Sequence, residues 1–147
     1  MRVSEVEGAT GNIDTNFEGK AKAAIDELKA GQEFVYIHVE APDECGHRCE
    51  EENKILAIEL IDEKIVGPVM EYLENCGEDY AVLVMPDHPT PLCLKTHVRD
   101  AVPFAMFDST KDKKSGLSYT EKNAEKTGVF IEKGCKMMPI FTGIDKL

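Results

Sequence analysis

The run DYAVLVMP, Asp79 to Pro86, restricts the fold more than any other stretch of the chain. Its near-continuous apolar character suits a central strand buried on both faces, as found in sheets covered by helices on each side. The flanking segments fit such a sheet. From Asn16, NFEGKAKAAIDELKAG places Phe17, Ala21, Ala24, Ile25 and Leu28 on one helical face, with Asn16 or Thr15 as cap and Gly31 as stop. EFVYIHVE, Glu33 to Glu40, is rich in β-branched and aromatic residues and predicts a strand. Pro42 then opens a loop, PDECGHRCEE. From about Glu51 to Cys76, Ile55, Leu56, Ile58, Leu60, Ile61, Ile65, Val69, Met70 and Leu73 keep near-helical spacing. Gly67-Pro68 lies inside that segment and predicts a kink or a break into two helices.

Beyond Pro86, the proline-rich loop DHPTPLCLKTHVRD leads to a third strand, VPFAMFDS. Ser109 to Ser118 reads as a surface loop, Thr120 to Thr127 as a polar helix, and KGCKMMPIFTGI as a closing helix or strand. The order helix, strand, helix, strand, strand, helix predicts an α/β domain with a largely parallel sheet. A length of 147 residues, without an internal repeat or a long linker, suits one domain over 1–147.

Charge and composition exclude several classes of function. At 42% hydrophobic and 31% charged the chain reads as globular. No apolar run reaches the roughly 20 residues of a membrane span. The start MRVSEVEGATG lacks the pattern of a signal peptide, so the expected location is cytoplasmic. A formal net charge of −11 disfavours nucleic acid and anionic membrane as partners. It also disfavours a phosphorylated substrate unless bound divalent metals offset the field locally. Five cysteines, an odd number, argue against a disulfide framework.

Chemistry concentrates in the loops after the predicted strands, where ligands gather in parallel α/β sheets. Three of the four histidines, His47, His88 and His97, lie there. Asp43 precedes His47 by four residues, so both point to one side if the loop runs into a helix start. Asp87 and His88 are adjacent on a turn, and can share one metal only if the backbone bends. Mixed imidazole and carboxylate donors suit Zn2+, Mn2+ or Fe2+ better than Ca2+ or Mg2+. Five donors, Asp43, His47, Asp87, His88 and His97, exceed one tetrahedral site and fall short of filling two. They point to two ions about 4 Å apart, an arrangement suited to in-line displacement at phosphorus.

Plainer readings stand beside this one. An Asp-x3-His pair is often surface decoration or a cap, and the Asp of Pro-Asp-His can simply cap the next turn. His38, in mid-strand, reads as a core or subunit-contact histidine. Cys45, His47 and Cys49 in CGHRC offer a rival zinc site, but no second cysteine pair completes it. The acidic run at 49–53 is the negative first turn expected of a helix.

These residues fall in blocks that resemble a known family. GATGNIDTNFEGKAKAAIDEL, FVYIHVEAPDECGH, IVGPV and VLVMPDHPTPLCLKTHVRDAVPF are similar, in order, to the archaeal-type branch of the cofactor-independent phosphoglycerate mutases, within the alkaline phosphatase superfamily. The resemblance runs from about Gly8 to Ser109 and implies part of a three-layer sandwich with a mainly parallel sheet. It implies that Asp43, His47 and His97 hold one metal, and that Asp87 and His88 help hold a second. Mn2+ is the metal it implies, with Zn2+ or another divalent ion as alternatives. The implied reaction interconverts 3-phosphoglycerate and 2-phosphoglycerate through a phosphoserine.

The family's nucleophilic serine and its arginine-rich substrate domain have no counterpart here. Ser4, Ser109, Ser115 and Ser118 lie outside the nucleophile's context, and Arg2, Arg48 and Arg99 do not reproduce the arginine cluster. The chain therefore resembles the C-terminal metal-binding portion of such an enzyme, with no catalytic residue of its own and its metals absent or weakly held. Parallel-sheet edges left open imply a homo-oligomer. A parent acting on another phosphate ester, and a non-catalytic self-associating fragment, remain the alternatives.

Overall fold

The first helix begins where the sequence supplies a cap. In the computed structural model, which describes residues 2–111 and 115–145, the Asn16 side chain accepts a 2.8 Å hydrogen bond from the Gly19 N–H and starts α1, Phe17–Lys29. Such a cap contributes about 1 kcal/mol. The inward face holds Phe17, Ala21 and Ala24, all buried, as the spacing predicts.

The segment after Pro42, expected as a loop, is instead a helix, α2, Ala41–Arg48. Proline is at home in the first helical turn, where its missing N–H has no partner to lose. Asp43 and Glu44 at the start and His47 and Arg48 at the end both match the helix dipole. Cys49 closes it in the left-handed region, at φ 59°. α3, Glu51–Ile61, opens on the expected acidic turn.

The break expected at Gly67-Pro68 takes another form. The ladder widens into a π turn over Asp62–Val66, where the Gly67 N–H reaches back five residues to the Asp62 carbonyl. α4, Gly67–Asn75, then begins with Pro68 in its first turn. A widened turn relieves the proline, which would otherwise face an α-ladder carbonyl it cannot bond.

Phe17, Ala21, Ala41, Ala57 and Ile65 form a core, and Ile13, Ile37, Val39, Leu60, Ile61 and Val69 pack against it. Ala41 and Ala57 are fully covered, so small side chains let α2 and α3 approach closely. Burying Phe17 alone contributes about 1.5–3 kcal/mol. This core belongs to one compact unit, Met1–Gly77 with Thr90–Val98.

Residues 33–40 were expected as a strand. Val35, Ile37 and Val39 are half-buried while Phe34, Tyr36 and His38 are exposed, the period of an extended chain. Among the described residues the segment joins no ladder. His38 accordingly lies on the outer side and not in the core, 3.6 Å from a Glu40 oxygen.

The second unit is Glu78–Pro89 with Arg99–Leu147. It holds β1, Ala81–Val84, and β2, Ala105–Asp108, which pair antiparallel with Ala81 opposite Asp108 and Val84 opposite Ala105. This is the sole sheet among the described residues, so the mainly parallel sheet is not what they form. The reason lies in the connection. Parallel neighbours need a crossover, usually a helix, and residues 85–104 contain none. Nor is β1 buried on both faces: Ala81 is exposed and Val82 to Val84 are half-buried. α5, Glu121–Lys126, is capped by Thr120 as expected of a polar helix. The closing segment resolves as a 3-10 turn, Gly134–Lys136, and α6, Met137–Phe141. Residues 112–114 of the expected surface loop lie outside the described residues. No helix among those described is long and apolar enough to cross a membrane.

Candidate metal centre

One turn of α2 separates Asp43 from His47, so both side chains stand on the same helix face. The segment Thr90–Val98 brings His97 to them. Asp43 Oδ2 is 3.3 Å from His47 Nε2, and Asp43 Oδ1 is 3.3 Å from His97 Nε2. The two imidazole Nε2 atoms are 3.0 Å apart. Among the described residues this is the group of three whose donor atoms converge within 4.8 Å.

The rings are held for that convergence. His47 Nδ1 lies 2.9 Å from the Lys95 carbonyl. A carbonyl only accepts, so Nδ1 carries a proton and Nε2 is the ring atom turned toward Asp43 and His97. An imidazole oriented from behind by a carbonyl is the usual support of a metal-ligating histidine. Metal–nitrogen bonds of about 2.1 Å at a tetrahedral angle set donors roughly 3.4 Å apart, close to the separations found. The three residues therefore fit a divalent ion in donor type, orientation and spacing.

Asp43 is fixed in turn by Thr90, whose hydroxyl donates to its Oδ1. Partial burial works to raise the Asp43 pKa, but the Thr90 hydrogen bond and the charges of His47 and His97 outweigh it, and the carboxyl is lowered. Thr90 is itself only 5% exposed, and its carbonyl accepts a 2.7 Å bond from Lys54 Nζ on α3. Both groups lie against Gly46. A Cβ there would stand 2.6 Å from the Thr90 carbonyl oxygen and 2.9 Å from Lys54 Nζ.

Asp87 and His88 lie on the loop after β1, in the second unit. The backbone does bend to bring them together: His88 N–H donates to Asp87 Oδ1 at 3.2 Å, and His88 Nε2 stands 3.4 Å from Asp87 Oδ2. The rival cysteine site does not form. Cys45 is fully buried, Cys49 is an exposed helix end, and positions two apart on a helix diverge.

Sequence reasoning missed Gly46, Lys54, Thr90 and the Lys95 carbonyl. Gly46 carried a signal, since a glycine within a helix forgoes about 1 kcal/mol relative to alanine and so marks a close approach. Thr90, a polar residue between two prolines, carried a weaker one.

An oriented Asp/His/His group on an α/β frame defines a protein of metalloenzyme type. The profile of the Metalloenzyme superfamily matches residues 1–140, and the chain belongs to that superfamily. The 2,3-bisphosphoglycerate-independent phosphoglycerate mutase of Methanosarcina mazei is 48% identical over 87% of this chain and 32% of its own length. The probable enzyme of that name from Geobacter sulfurreducens is 48% identical over 94% of this chain and 34% of its own length. A relative from Methanothrix thermoacetophila, with the same mutase name, reaches 53% identity over 74% of this chain. The chain thus spans about a third of the length of the first two relatives and 27% of the third. The structure of the PH0037 protein from Pyrococcus horikoshii superposes with a TM-score of 0.79 and 27% identity, over 95% of this chain and 41% of that one.

Proposed function

We propose that this chain is the metal-binding C-terminal portion of a cytoplasmic phosphoglycerate mutase. In this reading Asp43, His47 and His97 hold one divalent ion, Mn2+ in preference to Zn2+. Asp87 and His88 contribute to a second, completed by ligands outside this chain. The observation that carries the proposal is the convergence of Asp43 Oδ1 and Oδ2 with the two imidazole Nε2 atoms, His47 being held from behind by Lys95. The names and identities of the relatives support the substrate, 3-phosphoglycerate, and the product, 2-phosphoglycerate.

When bound, a divalent ion supplies positive charge that neutralises phosphoryl oxygens and lowers the pKa of an attacking hydroxyl. The chain's own residues prepare for it. Asp43 brings a carboxyl whose pKa is lowered, with the Thr90 hydroxyl as a hydrogen-bond donor, and His47 presents Nε2, oriented by the Lys95 carbonyl. Both units belong to one domain in this reading, a three-layer sandwich whose mainly parallel sheet is completed by the rest of the protein. The apolar β1, half-buried here, supports that completion.

In this reading the nucleophile lies outside this chain, since Ser4, Ser109, Ser115 and Ser118 do not share the sequence context of the family's nucleophile. A coupled enolase assay tests the reading. The chain alone is expected to give no turnover of 3-phosphoglycerate, and measurable turnover would overturn the placement of the nucleophile. The whole protein is expected to turn over, with His97→Ala reducing kcat/KM by more than about 100-fold, beyond what outer-shell changes cause.

Self-association of the chain is part of the same proposal. Tyr36, 66% exposed, and Phe34, 50% exposed, lie on one side of the extended segment, and each strand of the ribbon has an edge not bonded to the other. Light scattering is expected to show a mass above the monomer at rising concentration, and a monodisperse monomer would refute it.

A further inference from the structure

We propose that Lys54 and Thr90 are positioning residues for Asp43, setting the affinity of the site for a divalent ion without touching the ion. The inference rests on the metal reading above.

Thr90 is one of two polar residues described as buried, and a buried hydroxyl needs a partner. It donates to Oδ1 of Asp43, forty-seven residues away in sequence. That is the same oxygen that faces His97 Nε2 at 3.3 Å. The hydroxyl therefore governs how the carboxylate rotates between the two imidazoles.

Thr90 is held by its other end. Lys54 reaches from α3 across Gly46 and donates to the Thr90 carbonyl at 2.7 Å, a charge-assisted bond that is stronger than a neutral one. Lys54 itself is tied at its backbone N–H to the Glu50 carbonyl, 2.9 Å away, at the start of α3. The order of action is Lys54, Thr90 carbonyl, Thr90 hydroxyl, Asp43 carboxylate. α3 thereby contributes to a site whose ligands all lie elsewhere. Arg48, a cation on α2 itself, is engaged by Glu44 and Glu50.

The test is titration calorimetry of the chain with Mn2+ alone, and the visible absorption of its Co2+ form, which reports ligand geometry. Thr90→Val keeps the shape and removes the hydroxyl. It is expected to weaken Mn2+ binding about 10- to 100-fold, the range found for outer-shell partners, and to alter the Co2+ spectrum. Thr90→Ser is expected to restore both. Lys54→Met is expected to weaken binding less than Thr90→Val, and the double variant no more than Thr90→Val alone, because both losses run through one carboxylate. If Lys54→Met fails to fold, judged by circular dichroism, the Thr90→Val and Thr90→Ser pair decides. Wild-type affinity and spectrum in Thr90→Val, or strictly additive losses in the double variant, would overturn the inference alone. A wild-type chain that binds neither ion would overturn the metal reading together with it.

Discussion

Replacing His47 with alanine is expected to weaken Mn2+ or Zn2+ binding by this chain more than about 100-fold, beyond the loss typical of outer-shell partners. The substitution removes the Nε2 that stands 3.0 Å from His97 and 3.3 Å from Asp43. Two donors then remain where three converged, and neither can move to fill the gap. Asp43 is fixed by Thr90, and the α2 backbone cannot follow without breaking its ladder. Stability should change little, because the His47 side chain is one-third exposed and packs into no core. His38→Ala is the control, since His38 lies on the outer side of the extended segment. Calorimetry with metal analysis of the dialysed chain provides the measurement. Unchanged affinity in His47→Ala, with His38→Ala behaving alike, would remove His47 from the ligand set.

The second large effect is expected from Gly46→Ala. Alanine favours a helix interior over glycine by about 1 kcal/mol, so propensity alone predicts stabilisation. The new Cβ would stand 2.6 Å from the Thr90 carbonyl oxygen and 2.9 Å from both Lys54 Nζ and Thr90 Cγ2. Lysine can withdraw, but a backbone carbonyl moves only with its segment. Overpacking of this kind typically forfeits about 1–3 kcal/mol, enough to reverse the propensity gain. The displaced Thr90 would also release Asp43, so metal affinity should fall together with the unfolding midpoint. Gly67→Ala serves as comparison, because its Cβ would meet only the Asp62 carbonyl at 3.4 Å. Urea unfolding is expected to separate the two, Gly67→Ala holding or exceeding the wild-type midpoint and Gly46→Ala falling below it.

Local chemistry made some of this structure readable in advance. Asn16 announces α1 because a side-chain acceptor and an apolar face coincide there, and Asp43 with His47 has helical spacing even where no helix was expected. α2 was hidden by its composition. Pro42, Gly46 and Cys45 argue against a helix by propensity, and only their positions make them acceptable: proline in the first turn, glycine and a fully covered cysteine where neighbours press closest. The antiparallel pairing of β1 with β2 was hidden for a different reason. Strand composition reports burial and leaves direction to the connection, and the helix-free stretch from 85 to 104 favours an antiparallel return. His97 lies fifty residues beyond His47, and nothing local ties the two. Its place in a loop put His97 among the candidates, resemblance to a family assigned it to the same ion as Asp43 and His47, and the fold brings its Nε2 beside the other two donors. Thr90 and Lys54 could not be read at all, because their importance arises from an approach between segments that have no pattern in common.

The widened turn at Asp62–Val66 has a consequence for how α3 and α4 tolerate change. Each residue of an α-helix advances the azimuth by about 100°, so the extra residue of a π turn acts as a phase adjuster between the two rods. Ile65, within the turn, and Val69, just beyond it, both meet the core with the turn in place. Deleting one residue there would not trim a connection. It would swing every side chain of α4 by about 100°, carrying Val69 away from the core and putting Met70 in its place.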